Sequence, residues 1–115
     1  MKRCVMIINP TAGSYSPRMV EEARGSVQAA GYAVEVLLTR SEADAAEFAA
    51  AEAAGADMIV AGGGDGTVNG VLNGLAGAPC AMGVLPLGTS NVLARELGIR
   101  NIADAVSRIC RGRTR

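Results

Sequence analysis

Short apolar runs alternate with segments of helical periodicity along most of this chain. The apolar runs cover residues 3–9, 32–39, 57–61 and 81–85, and their length and β-branched content are typical of buried strands. Strands that alternate with helices at this spacing form a parallel sheet covered on both faces. The sequence therefore predicts a three-layer α/β/α fold with a mostly parallel sheet, and 115 residues suffice for one such domain.

Capping residues mark where the helices between these strands begin. Ser16 followed by Pro17 predicts an N-cap with proline in the first helical position, and Gly31 ends that helix. Ser41, with Asp44 three residues later, predicts a capping box at the start of the second helix. Further helices are predicted over residues 67–75 and 91–97 and from residue 101 onward.

The stretch AGGGDGTVNG, residues 61–70, directly follows the third apolar run. It is therefore predicted to lie where the third strand gives way to a helix, at the carboxyl edge of the sheet, where ligands of such folds bind. Backbone N–H groups of a glycine-rich turn and of the first helical turn form a cradle for an anion such as phosphate. The alternative is a tight turn that only needs positive φ angles, but one or two glycines suffice for that.

The amino-acid composition limits which side chains can act in acid–base chemistry and which partners the protein can attract. The formal net charge is zero, so no global field attracts nucleic acid. The chain has no histidine and a single lysine, so acid–base work falls to carboxylates. Cys4, Cys80 and Cys110 lack paired spacing, which indicates reduced core thiols in a cytoplasmic protein and not a metal site. The first apolar run is too short for a signal peptide, and no transmembrane segment is predicted.

Two well-known glycine-rich phosphate motifs do not fit. The Walker pattern needs a lysine and then Ser or Thr after its last glycine, whereas Gly66 is followed by Thr67 and Val68. The dinucleotide fingerprint needs a glycine or alanine three residues after its second glycine, and this position is Asn69. The phosphate site is therefore of another type.

The same residues closely resemble the catalytic-domain signature of the diacylglycerol kinase and sphingosine kinase family. The resemblance rests on GGGDGTVNGVLNGL at residues 62–75, GVLPLGTSNVLARELGI at residues 83–99, NPTAG at residues 9–13 and Thr39 after the second strand. It implies a fold similar to the N-terminal domain of NAD kinases and 6-phosphofructokinases. It further implies a lipid kinase that transfers the γ-phosphate of ATP, with Mg²⁺, to the hydroxyl of a diacylglycerol or a sphingoid base.

Family members also have a C-terminal β-rich domain that completes the active site and the lipid pocket. We therefore expect these 115 residues to be the nucleotide-binding part of a longer kinase, inactive alone. The implied partners are ATP, a lipid at the inner face of a membrane and the chain's own C-terminal domain, while a homodimer stays open. Four arginines in the last eight residues, RICRGRTR, fit either a helix C-terminus or attraction to anionic lipid.

The resemblance also implies the site residues, carried over position by position. Asp65 is expected to carry the chemistry, either as the general base for the lipid hydroxyl or beside the phosphates and Mg²⁺. No cluster of protein metal ligands is expected. The implied nucleotide-binding residues are Asn9, Pro10, Thr11, Ala12, Gly13, Thr39, Gly64, Asp65, Gly66, Thr67, Val68, Asn69, Gly70 and Thr89.

Gly70 departs from the family pattern, which usually has a glutamate there to support the aspartate or its metal. Gly66, Gly70 and Gly74 are spaced four residues apart and would line one side of a helix, letting it pack close to the sheet. Two alternatives to the lipid kinase remain. One is a kinase for a soluble acceptor such as NAD, which shares the GGDGT core, and the other is a non-catalytic nucleotide-binding module.

Overall fold

The computed structural model describes residues 2–87 as alternating strands and helices. Their order confirms the predicted alternation as far as the fourth strand. The predicted helices over residues 91–97 and from residue 101 onward lie outside the described residues. The elements are β1 (Lys2–Ile8), α1 (Pro17–Ala29), β2 (Tyr32–Leu38), α2 (Glu42–Glu52), β3 (Met58–Gly63), α3 (Asp65–Gly74) and β4 (Ala81–Pro86).

The four described strands form one parallel sheet in the order β2-β1-β3-β4. Parallel neighbours joined through a helix make right-handed crossovers. This rule places α1 on one face of the sheet and α2 with α3 on the other, where the two helices pack against each other. The α/β fold class with a mostly parallel sheet is therefore confirmed.

The core lies on both sides of the two central strands. Every residue from Cys4 to Ile8 in β1 and every residue of β3 is buried, because helices cover both faces of these strands. Continuous apolar runs are what such doubly covered strands require. In β2, at the edge of the sheet, only Val34 is buried, so this strand contributes least to the core.

The helix caps follow the sequence signals with local differences. Ser16 occupies the N-cap of α1, but its side chain makes no capping hydrogen bond. At α2, the Ser41 hydroxyl accepts a bond from the Asp44 N–H at 3.2 Å, while the Asp44 carboxylate accepts from the N–H of Arg40 at 2.9 Å. The reciprocal bond of a capping box would come from Ser41 itself, so the box is shifted by one residue. Gly31 ends the helical segment with φ +103°.

The glycine-rich stretch is more regular than predicted. β3 continues through Gly63, two residues beyond its predicted end, and α3 already begins at Asp65 instead of residue 67. Only Gly64 lies between them, as the N-cap of α3. Within residues 2–87, positive φ among glycines occurs only at Gly31 and Gly77, so left-handed backbone does not explain this stretch.

Close approach of neighbouring atoms explains two of these glycines. A Cβ on Gly62 would collide with the Ile8 Cδ1 atom, and a Cβ on Gly63 would lie 2.5 Å from the Thr67 Oγ1 atom and 3.2 Å from the Asn9 Cβ atom. A side chain is therefore excluded at Gly63, whereas at Gly62 the end of the Ile8 side chain would have to shift. The result is that the chain after β1 and the first turn of α3 come together over Gly63.

Gly74, the last glycine of the predicted line on α3, faces a helix where the sheet was expected. A Cβ on Gly74 would collide with the Ala46 carbonyl oxygen and lie 2.7 Å from the Ala49 Cβ atom, both on α2. Gly70 is buried and Gly66 is exposed. The expectation of close packing on the sheet was therefore wrong for Gly74, because alanine-rich α2 fills the space beside α3.

Candidate functional site

The carboxyl ends of the four described strands meet at one edge of the sheet, because all the strands are parallel. In spatial order across the sheet, the residues that directly follow them are Thr39, Asn9, Gly64 and Leu87. This edge therefore brings together the three segments that the sequence marks as nucleotide-binding within residues 2–87. Thr89 lies outside the described residues.

Backbone hydrogen bonds continue beyond the strand ends and fix this edge. The Thr39 N–H donates to the Ile8 carbonyl at 2.8 Å, and the Asn9 N–H donates to the Gly62 carbonyl at 2.8 Å. The Leu87 N–H donates to the Gly63 carbonyl at 3.2 Å. The first residue after each of these three strands is thus held in the extension of the sheet.

Asn9 organises the loop that follows β1. Its Oδ1 atom accepts hydrogen bonds from the Thr11 N–H at 2.9 Å and from the Thr11 hydroxyl at 2.8 Å. The Asn9 carbonyl accepts from the Ala12 N–H at 3.2 Å. This is a side-chain turn of the Asx type. Both acceptor positions of the Asn9 amide are thereby occupied, which leaves its NH₂ group as the available donor.

Ser14 was not among the predicted site residues, although it ties the site together. Its N–H donates to the Leu87 carbonyl at 2.6 Å, which joins the loop after β1 to the chain leaving β4. Pro10, Ala12 and Gly13 lie within the loop held in this way. A contact made only by backbone atoms leaves no signature in side-chain type, so no sequence signal could have found it.

The N-terminus of α3 supplies backbone donors at the same edge. Its N-cap, Gly64, has no side chain, and no side-chain capping bond is found there. The first intrahelical N–H is that of Val68, which donates to the Gly64 carbonyl at 3.1 Å. The N–H groups of a first turn precede this bond and lack intrahelical acceptors, and the helix dipole adds a partial positive charge. This turn therefore has the geometry that binds phosphate.

The remaining predicted site residues differ in how far they are exposed to solvent. Asp65 is half-buried in the first turn of α3, and Gly66 beside it is exposed. Asn69 is exposed one turn further along the helix. Thr67 is 5% exposed and Val68 is 1% exposed, so the Val68 side chain belongs to the core. Buried Gly70 and buried Thr39 likewise contribute to the packing under the site.

The opposite, amino end of the sheet carries the long-range ion pairs of the described chain. The Arg3 guanidinium bonds the carboxylates of Glu52 at 2.6 Å and Glu35 at 2.9 Å, and these bonds, that of Glu52 first, raise the pKa of Arg3. The Arg3 N–H also donates to the Asp57 carboxylate at 2.7 Å. One arginine thus lies among three carboxylates, and this excess of negative charge disfavours an anionic ligand.

Two cysteines near the amino end are free thiols. Burial, followed by the nearby Cys80, raises the pKa of Cys4 to about 12. Burial and the charge of Asp57 raise the pKa of Cys80, against a backbone hydrogen bond from Ile59 that lowers it. Both thiols therefore stay protonated at neutral pH and are poor nucleophiles. Cys110 lies outside the described residues.

A cavity of about 610 Å³ also lies at the amino end, between the last turns of α2 and α3. Its walls are mostly alanine and glycine, and its lining includes Asp57 and Cys80. The single charged residue of this lining is an acid, and helix C-termini carry partial negative charge. Both features disfavour a phosphate. The candidate nucleotide site is therefore the carboxyl edge, where the donors are.

Two other kinds of feature are absent from the described residues. Among residues 2–87, no group of three or more His, Cys, Asp or Glu side chains is arranged to hold a metal ion. None of the helices described is long and apolar enough to cross a bilayer.

Comparison with known proteins gives consistent matches. Residues 3–115 match the model of the diacylglycerol kinase catalytic domain. A diacylglycerol kinase of Bacillus subtilis is 43% identical over 105 residues, covering 86% of this chain and 34% of the relative. A diacylglycerol kinase of Staphylococcus epidermidis is 36% identical over 118 residues, covering 98% of this chain and 37% of the relative.

Solved structures agree with these matches. The crystal structure of a diacylglycerol kinase from Bacillus anthracis superposes with a TM-score of 0.80 at 30% identity, covering 96% of this chain and 42% of that chain. A second structure from the same organism gives a TM-score of 0.86 at 31% identity over the same shares. The chain spans only 34% of the length of the Bacillus subtilis relative and 37% of that of the Staphylococcus epidermidis relative.

Proposed function

Because the chain belongs to the family of diacylglycerol kinase catalytic domains, we propose that it is the nucleotide-binding part of a lipid kinase that transfers the γ-phosphate of ATP to a lipid hydroxyl. The observation that carries this proposal is the N-terminus of α3, which has no side-chain cap and opens at the carboxyl edge of the sheet behind Gly64. The Asn9 turn lies beside it over Gly63. Helix and turn together offer donors to a chain of phosphates.

The phosphates of the nucleotide bind the first turn of α3 in this proposal. Exposed Gly66 leaves the turn uncovered, so phosphate oxygens can approach the backbone N–H groups. The NH₂ group of Asn9 approaches the same phosphates from the adjacent strand end. Phosphoryl transfer relies mostly on positioning and on stabilisation of charge, and backbone donors held by the sheet supply both without moving.

In this proposal, Asp65 binds Mg²⁺ beside the phosphates and is not the general base for the lipid hydroxyl. Its carboxylate is in the same helical turn as the proposed phosphate donors, and a carboxylate beside phosphates is repelled unless a cation lies between them. Mg²⁺ commonly binds through one or two carboxylates together with substrate phosphates, so a single Asp65 fits this ion without a cluster of protein ligands. Bound there, Mg²⁺ would neutralise charge developing on the phosphate oxygens.

In this proposal, the acceptor side of the reaction requires protein beyond residues 2–87. Residues 2–87 form one sheet with its helices, and the carboxyl edge of that sheet forms one wall of a cleft. Well-oriented placement of two reactants accounts for roughly 7–11 kcal/mol of barrier lowering. With a single wall, the lipid hydroxyl is not held in line with the γ-phosphate. The 115-residue chain alone is therefore expected to transfer no phosphate to lipid.

Two measurements test this proposal. The full-length gene product, given radiolabelled ATP, Mg²⁺ and dispersed diacylglycerol or sphingoid base, should label the lipid, and Asp65→Asn should abolish the labelling. In the 115-residue chain, Asp65→Asn should remove the increase in ADP affinity caused by Mg²⁺. Asp57→Asn, the matched change at the amino end, should alter neither result.

Four outcomes would contradict the proposal. Label in NAD but not in lipid would favour the soluble acceptor, and ADP binding without any transfer would favour a non-catalytic module. Lipid labelling by the 115-residue chain alone would overturn the two-domain account. An Mg²⁺ effect that survives Asp65→Asn would move the ion away from this carboxylate.

A further inference from the structure

The cavity between the last turns of α2 and α3 is lined by side chains too short to fill it. Its walls come mainly from two connections, AAGA at residues 53–56 and AGAP at residues 76–79. At Gly74, the backbone of α3 comes close to Ala46 and Ala49 of α2, and beyond this contact the cavity measures about 610 Å³. A space of this size accommodates a small organic molecule.

The last carbonyls of both helices give this cavity hydrogen-bond acceptors. The final C=O groups of an α-helix have no intrahelical partner. No donor within residues 2–87 is bonded to the carbonyls of Ala50, Ala53 or Gly74, and all three residues line the cavity. The one side-chain donor of the lining is the Cys80 thiol, which is a weak donor and contacts the Ala81 carbonyl at 3.4 Å. The lining therefore suits a ligand that is rich in donors.

The charges around this cavity favour a cation. Asp57 is the one charged residue of the lining, and the C-termini of the two helices add partial negative charge. Arg3 at the same end of the sheet is bonded to three carboxylates, which leaves an excess of negative charge. Burial, and then the charge of Asp57, raise the pKa of the Cys80 thiol. The field of the carboxylate is therefore felt within the lining.

We propose that this cavity binds a small aliphatic amine, with the ammonium group at Asp57 and the hydrocarbon chain along the alanine walls. An ammonium group has three N–H donors and no acceptor, which matches a carboxylate and helix carbonyls. A bare metal ion fits less well, because it is far smaller than the cavity and makes no use of the methyl groups. Moreover, the described part of the chain has no group of three or more His, Cys, Asp or Glu side chains that could hold such an ion.

The amine site and the candidate nucleotide site lie at opposite ends of the sheet. α3 begins at the nucleotide site and ends at Gly74, in the lining of the cavity. No residue of the lining belongs to the segments proposed to bind nucleotide. The amine is therefore expected not to compete with ADP, and its binding does not depend on the proposed kinase function.

Titration of the ¹⁵N-labelled 115-residue chain with n-butylammonium chloride, followed by amide chemical shifts, tests this proposal. The salt replaces sodium chloride at constant ionic strength and constant pH, so that the screening of charges stays the same. Saturable shifts are expected at Ala54, Asp57, Gly77 and Cys80, with a dissociation constant of about 10 mM for so small a ligand. Saturating Mg²⁺ and ADP should leave this constant unchanged.

Two substitutions separate the contribution of charge from that of space. Asp57→Asn keeps an acceptor for the Arg3 N–H but removes the charge, and it should weaken binding by about tenfold or more. Ala54→Leu, at an exposed position of the lining, takes up part of the cavity and should weaken binding at least as much. The matched controls are Glu47→Gln and Ala43→Leu, at exposed positions of α2 outside the lining. Both should bind like wild type.

Neutral and inorganic probes complete the test. The absence of saturable shifts at these amides up to about 0.1 M butylammonium would overturn the proposal. Equal shifts with n-butanol would show that only the apolar walls bind, and equal shifts with potassium chloride would show a site for a bare cation; either result would overturn it. An affinity unchanged by Asp57→Asn or by Ala54→Leu would place the amine outside this cavity.

Discussion

The amino and carboxyl ends of the sheet differ in how their polar groups are bonded. At the amino end, Arg3 is paired with two carboxylates, and Cys4 is buried. At the carboxyl end, α3 begins at Gly64 without a side-chain cap, and a Cβ on Gly63 would lie too close to Thr67 and Asn9. At the amino end, the polar groups of Arg3, Glu35, Glu52 and Asp57 are bonded to one another. The carboxyl end presents the first turn of α3, where the proposed nucleotide site lies.

The largest expected effect concerns stability at the amino end and depends on pH. Burial raises the pKa of Cys4 from 9.0 to about 12, so the unfolded chain loses this proton before the folded chain does. The folded state is therefore destabilised as pH rises from about 9 to 12, by up to about 4 kcal/mol, since one pKa unit corresponds to about 1.4 kcal/mol. Urea unfolding at several pH values measures this loss.

Cys4→Ala should remove this fall in the free energy of unfolding at alkaline pH, although the substitution lowers stability at neutral pH. Cys80→Ala, at a half-buried thiol, should leave most of the loss in place. Equal slopes for the wild type and Cys4→Ala between pH 9 and 12 would show that the Cys4 thiol is not protected by burial.

The second effect concerns binding at the carboxyl end. Gly66→Asp should weaken ADP binding by about 100-fold or more, because its side chain would occupy the position proposed for the phosphates and its charge would repel them. Stability should change little, because Gly66 is exposed and an acid in a first helical turn favours the helix. Calorimetric titration and thermal unfolding measure the two quantities.

Asn73→Asp is the matched control for this substitution. Asn73 is exposed near the other end of α3, so the same added charge lies away from the proposed phosphates. Its ADP affinity should stay within about threefold of wild type. Equal weakening by both variants would mean that net charge, and not the first turn of α3, governs binding.

The third effect separates helix packing from binding. Gly74→Ala should lower the free energy of unfolding by about 1–3 kcal/mol, because its Cβ would collide with the Ala46 carbonyl and overpacking carries costs of this size. Gly25→Ala should instead raise stability by about 0.5–1 kcal/mol, since Gly25 is helical and nothing lies within 4 Å of its Cβ position. Denaturant unfolding gives both values. A stabilising Gly74→Ala would contradict the close packing of α3 on α2.

The smallest effect is expected at Asn9. Asn9→Ala removes both hydrogen bonds to Thr11 and should weaken ADP binding by about tenfold, or roughly 1.4 kcal/mol. Asn9→Asp keeps the acceptor for Thr11 but loses the NH₂ donor and adds charge. If Asn9 only shapes the loop, Asn9→Asp should bind like wild type. If its NH₂ group meets phosphate, as proposed, Asn9→Asp should bind at least as weakly as Asn9→Ala.

The sequence predicted the frame better than the contacts within it. Apolar runs and caps located the four described strands and their three helices because burial on both faces leaves a strong pattern. The boundaries near Gly63 and Asp65 were wrong by two residues, since glycine carries no side-chain signal for strand or helix. The Ser14 link to Leu87 and the approach of Gly74 to α2 depend on tertiary geometry, which a local pattern does not contain.

The central claim is that nucleotide phosphates bind at the carboxyl edge of the sheet, at the first turn of α3. Titration of the ¹⁵N-labelled chain with Mg²⁺ and ADP, followed by amide chemical shifts, tests this most directly. The account predicts the largest shifts at residues 64–67, with further shifts at residues 9–13 and at Thr39. Shifts concentrated instead at the amino end, around Ala53, Asp57 and Cys80 in the cavity between α2 and α3, would contradict it.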